Sequence, residues 1–196
     1  MSNQKDEIMK QIEERLQAPF PERDIEWRVH HSGRSKGRQW AMVLAYVDNR
    51  AIQNRLDEVF GPGGWKNEFH DFRDGVLCTI SCKVGDEWIS KTDGAEPTQF
   101  ESFKGGLSSA MKRAGVQWGI GRYLYELPQT FVEVYPQKPD HPDAKFIKDD
   151  KTGVRGYWIP PKLPDWALPE NERNGSRQVS QKQPEQVLRG KAQQTQ

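Results

Sequence analysis

The chain has 196 residues, of which 34 % are hydrophobic and 29 % charged, with a net charge of +1. With Gly counted and Tyr left out, the apolar share still falls short of the about 45–50 % usual in globular domains, so some segment lies outside a packed core. The length suits one core of about 100–160 residues rather than two full domains; apolar runs such as Ala41 to Val47 are far below the roughly 18 residues of a membrane span, and Met1–Arg15 lacks the apolar block of a secretory signal.

Ile8, Ile12 and Leu16 recur at helical spacing and predict a first helix over 4–17, ended by Ala18-Pro19-Phe20-Pro21. Residues 24–30 read as a strand, followed by a polar loop with Gly33 and Gly37 and a second strand over 39–46. Asp48 is a good N-cap for a helix burying Ala51, Ile52, Leu56, Val59 and Phe60, stopped by Gly61-Pro62-Gly63-Gly64. Strands over 65–73, 76–84 and 87–92 follow, with turns at Asp74-Gly75 and Gly85-Asp86. Thr98-Gln99-Phe100-Glu101 has the capping-box pattern and opens a long helix through about Gly115. Phe103, Leu107, Ala110, Met111, Ala114 and Trp118 fall on one side of it, whereas Gly105, Gly106, Ser108, Ser109 and Gly115 make another side small, as if another backbone approached there.

This order of elements predicts an α+β fold, with helices on one face of a largely antiparallel sheet. Three segments are expected. Residues 1–135 form the core. Residues 136–169, rich in proline, form an irregular extension laid over it by Phe146, Tyr157, Trp158, Ile159 and Trp166. Residues 170–196 are Gln-rich with few aliphatics, which predicts a disordered tail.

Cys78 and Cys82 sit four apart in a strand-like run, on one face but about 13 Å from each other, too far for a disulfide. His30, His31, His70 and His141 show no ligand spacing, so the thiols read as half-buried structural groups in a reducing cytoplasm. There is no phosphate-cradling Gly-x-x-x-x-Gly-Lys-Ser/Thr loop, and Gly119-Ile120-Gly121-Arg122 lacks the third glycine of a dinucleotide site. No cofactor is expected.

The net charge hides local structure. Arg28, Arg34, Lys36 and Arg38 fall in a window without carboxylates that runs to Val47. Lys112, Arg113 and Arg122 fall in a second, between Gly105 and Tyr125, with Lys104 just before it. Tyr46, Trp40, Trp118, Tyr123 and Tyr125 are interleaved with these cations. Cations that hold phosphates beside aromatic faces are how single strands are bound without sequence readout, although Trp40 and Trp118 read first as core. Asp93, Glu96 and Glu101 offer the carboxylates of an alternative, a metal-dependent nuclease acting on DNA ends, and an RNA-binding module is a third reading.

Two long motifs carry a resemblance. Tyr46-Val47-Asp48-Asn49-Arg50-Ala51-Ile52 through Phe60-Gly61, with Gly64-Trp65, resembles the strand–helix–Gly-Trp segment of the Rad52/Rad22 type of single-strand annealing protein. Ser109-Ala110-Met111-Lys112-Arg113-Ala114-Gly115 through Tyr125 resembles that family's signature helix. Arg15 to Pro21 and Asp93-Gly94-Ala95-Glu96-Pro97 resemble its bacterial and phage branch, which includes the DNA damage response protein A type. The resemblance implies annealing of complementary DNA strands without ATP, no bond chemistry, and assembly of copies into a ring with a basic groove. It carries the groove's roles onto Arg28, Tyr46, Lys112 and Arg113. A further family arginine is replaced here by Val116, leaving Arg122 or Arg50 to compensate. Arg34, Lys36 and Arg38 are expected to form a flexible basic arm for a second strand, and the tail to recruit a nuclease or a single-strand-binding protein.

Overall fold

The computed structural model describes residues 2–96 and 102–173; Thr98-Gln99-Phe100-Glu101 and the tail from residue 174 onward lie outside them. Helix α1 spans Ser2–Gln17 and α2 spans Asn49–Phe60. Asp48 caps α2 as its residue type predicts, its carboxylate accepting from the amides of Arg50 and Ala51. Gly61, at φ 73°, ends it by donating its amide to Asp57 O.

Strands β1 (Ile25–Ser35) and β2 (Arg38–Val47) form an antiparallel hairpin, and β6 (Thr130–Val134) pairs with the other edge of β2. Between them in the chain come β3 (Trp65–Phe72), β4 (Gly75–Val84) and β5 (Glu87–Ala95), a second antiparallel sheet in the order β3-β4-β5. Helix α3 (Ser102–Gln117) lies on this second sheet, with the Trp118 indole just beyond it donating to Ile80 O at 3.1 Å. The α+β class stands, with the first six strands divided between two three-stranded sheets. The core runs between them: Leu16, Ile52, Leu56, Val43, Ile80, Met111 and Ile120 are all buried. No helix among the described residues is long and apolar enough to cross a membrane.

Several expectations are corrected. The polar loop at 31–38 is strand almost throughout, with a turn only at Lys36-Gly37, both at positive φ. Gly33 marks a close approach, not a loop: a Cβ there would stand 2.5 Å from Trp40 Cζ2 across the hairpin. The turn after β3 falls at Arg73-Asp74, one residue early, with Arg73 at φ 53°. Gly115 lies inside α3, which continues to Gln117; its bare Cα lets α2 in, since a Cβ would meet Ile52 Cγ2 at 3.3 Å.

A further correction concerns 136–169. This stretch is not irregular throughout: β7 (Lys145–Asp149) and β8 (Val154–Trp158) make a hairpin whose Ile147, Val154 and Trp158 join the core, and Tyr135 and Tyr157 bridge β6 to β8 by reciprocal amide–carbonyl bonds. Phe146 and Trp166, expected to hold it down, are exposed instead. Cys78 and Cys82 are fully buried rather than half-buried, and burial pushes their thiols up to about 11 and about 12, Lys91 opposing it at Cys82.

Candidate nucleic-acid interface

Strand alternation places Glu26 and Arg28 on one face of β1, and register sets Tyr46 of β2 directly across from Glu26. Lys112 and Arg113 come from the middle of α3, on the other sheet. Arg28, Tyr46, Lys112 and Arg113 all line one cleft of about 590 Å³. Its floor is apolar, with Val43, Val47, Ile52, Ile120 and Leu124 beneath the charged rim. Residues from two windows far apart in the sequence therefore meet, as the resemblance requires of them.

The cations are held in place by carboxylates. Arg28 Nη2 donates to Glu26 Oε2 at 2.8 Å, and Lys112 Nζ lies 3.7 Å from the same oxygen. Burial and the neighbouring Arg28 charge lower the Lys112 ammonium; Glu26 and Asp48 oppose them. Burial alone would raise the Glu26 carboxyl, but the Arg28 hydrogen bond and the Lys112 charge outweigh it and keep the group ionised. Arg113 Nε donates to Asp93 Oδ1 at 3.0 Å, tying α3 to β5, while Gln117 Nε2 and the Gly94 amide donate to the same carboxylate. Tyr46 is half-buried; burial and then the nearby Tyr125 raise its phenol, against the pull of Arg28. Tyr125 itself stands at the mouth, 71 % exposed.

The other expected cations lie elsewhere. Arg122 is occupied at the C-terminus of α3, where its guanidinium donates to Val116 O and Gln117 O; the helix end attracts it, as it would any cation. Arg50 is exposed in the first turn of α2 and pairs with Asp48. Neither lines the cleft: Arg122 sits on the Val116 carbonyl at the helix end, and Arg50 stands at the start of α2. Arg34, Lys36 and Arg38 surround the tip of the β1–β2 hairpin, and Arg34 donates to Gly153 O in the β7–β8 turn. A docked hairpin tip replaces the expected flexible arm. The side chain of Lys104 lies outside the described residues, as does Glu101. Trp118 is core, as read; Trp40 is half-buried edge-on to Phe131.

For the nuclease alternative, Asp93 is committed to Arg113, Gln117 and Gly94, and among the described residues no three His, Cys, Asp or Glu gather. Sequence reasoning did not single out Glu26, although its position two before Arg28 in a strand carried the signal.

The profile of the Rad52/22 family double-strand break repair protein matches residues 8–76 and 72–142, which takes in both walls of the cleft. The chain belongs to the Rad52/22 family. Among its relatives, a protein of Deinococcus radiodurans described as single-stranded DNA-binding protein DdrA is 35 % identical over 164 residues, 83 % of this chain and 70 % of the relative. The protein of the same description from Deinococcus deserti is 35 % identical over 165 residues, again 83 % of this chain and 73 % of the relative. The family match spans the elements that carry Arg28, Tyr46, Lys112 and Arg113, and stops short of the β7–β8 hairpin.

Proposed function

We propose that this protein binds single-stranded DNA and anneals complementary strands in recombination and double-strand break repair, without ATP and without making or breaking covalent bonds. The observation that carries this is the meeting of Arg28, Tyr46, Lys112 and Arg113 in one cleft between two sheets. In the mechanism, phosphates of one strand lie on Arg28, Lys112 and Arg113, Tyr46 supports a sugar or base, and base edges stay outward to test a second strand. Pairing energy then drives the reaction. Membership of a double-strand break repair family and likeness to two proteins described as single-stranded DNA-binding both support this reading.

Several copies act together, in a ring, and the tail from residue 170 recruits a nuclease or single-strand-binding protein; the work is cytoplasmic, on the nucleoid. Open sheet edges support self-association: β3 and β5 each have one edge without a partner strand among the described residues. The cleft is tested by measuring oligo(dT) affinity against salt for Lys112→Ala and Arg28→Ala. Each should weaken binding and reduce the slope of log affinity against log salt by about 0.7 for every phosphate left without its cation. Unchanged affinity and slope in both variants would remove the cleft from the mechanism. Mixing complementary oligonucleotides without nucleotide should give duplex and no cleavage.

A further inference from the structure

All three cations that line the cleft already hold an anion of the protein's own, and two of them share one. Glu26 Oε2 takes the Arg28 hydrogen bond at 2.8 Å and stands 3.7 Å from Lys112 Nζ. It thus joins the first strand of one sheet to the helix lying on the other. Arg28 and Lys112 repel each other, and this repulsion is among the causes that lower the lysine. A carboxylate oxygen between them does what a phosphate oxygen would do in the same place: it neutralises both and fixes their spacing.

The two acidic partners of the cleft are built differently. Asp93 is 20 % exposed and takes three donors, Arg113, Gln117 and the Gly94 amide, so it is a fixed part of the α3–β5 contact. Glu26 is 41 % exposed and, among the described residues, meets the two cations alone. When its side chain turns to solvent, Arg28, 61 % exposed, returns to water, whereas Lys112, 18 % exposed, needs the incoming phosphate in its place.

We propose that Glu26 is an internal stand-in for a DNA phosphate: it holds Arg28 and Lys112 together until a strand arrives, and that strand must displace it to bind. This rests on the DNA-binding reading of the cleft and adds a residue that sets its affinity. The consequence is a grip weaker than the cations alone would give. A protein that must release its strand once a duplex forms works better with such a competitor in place.

The test is oligo(dT) binding by Glu26→Gln, Glu26→Asp and Lys112→Ala, each checked for an unchanged melting temperature. Glu26→Gln should bind about three- to tenfold tighter at low salt, the size expected for removing one charge beside a bound phosphate near solvent, and should release the strand more slowly. The gain should shrink as salt screens the cleft. Glu26→Asp, which keeps the charge on a shorter side chain, should gain less than Glu26→Gln, and Lys112→Ala should weaken binding. If Lys112→Ala weakens binding while Glu26→Gln leaves it unchanged or weaker, the stand-in is overturned and the cleft reading survives. If neither variant moves the affinity, the cleft reading falls and the stand-in with it. Should Glu26→Gln fold poorly, the carboxyl carbon resonance of Glu26 in the unsubstituted chain decides: it must shift when oligo(dT) is added, and a static signal rejects the proposal.

Discussion

Arg55 is a guanidinium buried among carbonyls. From α2 it donates to the carbonyl oxygens of Arg15, Leu16, Ala18 and Pro19, which close α1 and begin the turn after it, and it lies over the Phe20 ring at 4.1 Å. Glu58 stands 3.6 Å away and offsets the burial that lowers the arginine. Arg55→Met leaves those carbonyls without their donor and should cost about 2–4 kcal/mol in urea unfolding, with α1 detaching first. Lys cannot rescue it, since one ammonium does not span four acceptors. At this scale the sequence exposes cations that stand apart from acids. Arg28, Lys112 and Arg113 lie in acid-free windows and were legible there. Arg55 and Glu26 sit in ordinary mixed charge; the Arg55 acceptors and the Lys112 partner of Glu26 are distant in the chain, and only the spacing of Glu26 to Arg28 was local. Arg122 shows the converse: a lone cation in a bare window that serves the end of its own helix.

One carboxylate is among the bonds that fasten the β7–β8 hairpin to the β1–β2 hairpin, beside those of Arg34 and Gln39. Asp149 Oδ2 accepts from Ser32 Oγ at 2.6 Å, and hydrogen bonds from the Ser32 and Thr152 hydroxyls hold its carboxyl down at about 2. Because the folded value lies below the unfolded one, the fastening is at full strength above the ordinary carboxylate range of about 4 and decays as pH falls toward about 2. Amide resonances of Gly153 and Gly156 followed from pH 6 downward should therefore stay fixed to about 4 and move only below it. Asp149→Ala should show the loosened positions already at neutral pH. The long elements were legible because they carry period and caps: α2 with Asp48 and Gly61, β4 with Cys78, Ile80 and Cys82 on one face. Strands of five residues between prolines carry neither, and β7 and β8 become strands through docking of Ile147, Val154 and Trp158 onto a core they do not neighbour in sequence. The outer half of the β1–β2 hairpin hid for a different reason, since polar residues fill it and Lys36-Gly37 is a weaker turn signal than Asn-Gly.

At the scale of the molecule, alternation says which residues point inward but not which strands pair, so the division into two sheets was not legible even though α+β was. The second sheet ends in an edge, β3, that exposes Phe69 and Phe72, with Trp88 of β5 exposed on the same sheet. If copies associate there, light scattering should report particles well above the 22.6 kDa of one chain, and Phe69→Lys with Phe72→Lys should shift them toward it. The division has a mechanical result. One wall of the cleft is β1 and β2; the other is α3, carried on a sheet that among the described residues shares no backbone ladder with the first. In the DNA-binding reading proposed above, a polymer lying across both walls acts as a splint between two plates joined by side-chain packing alone, so cargo and chassis stiffen together.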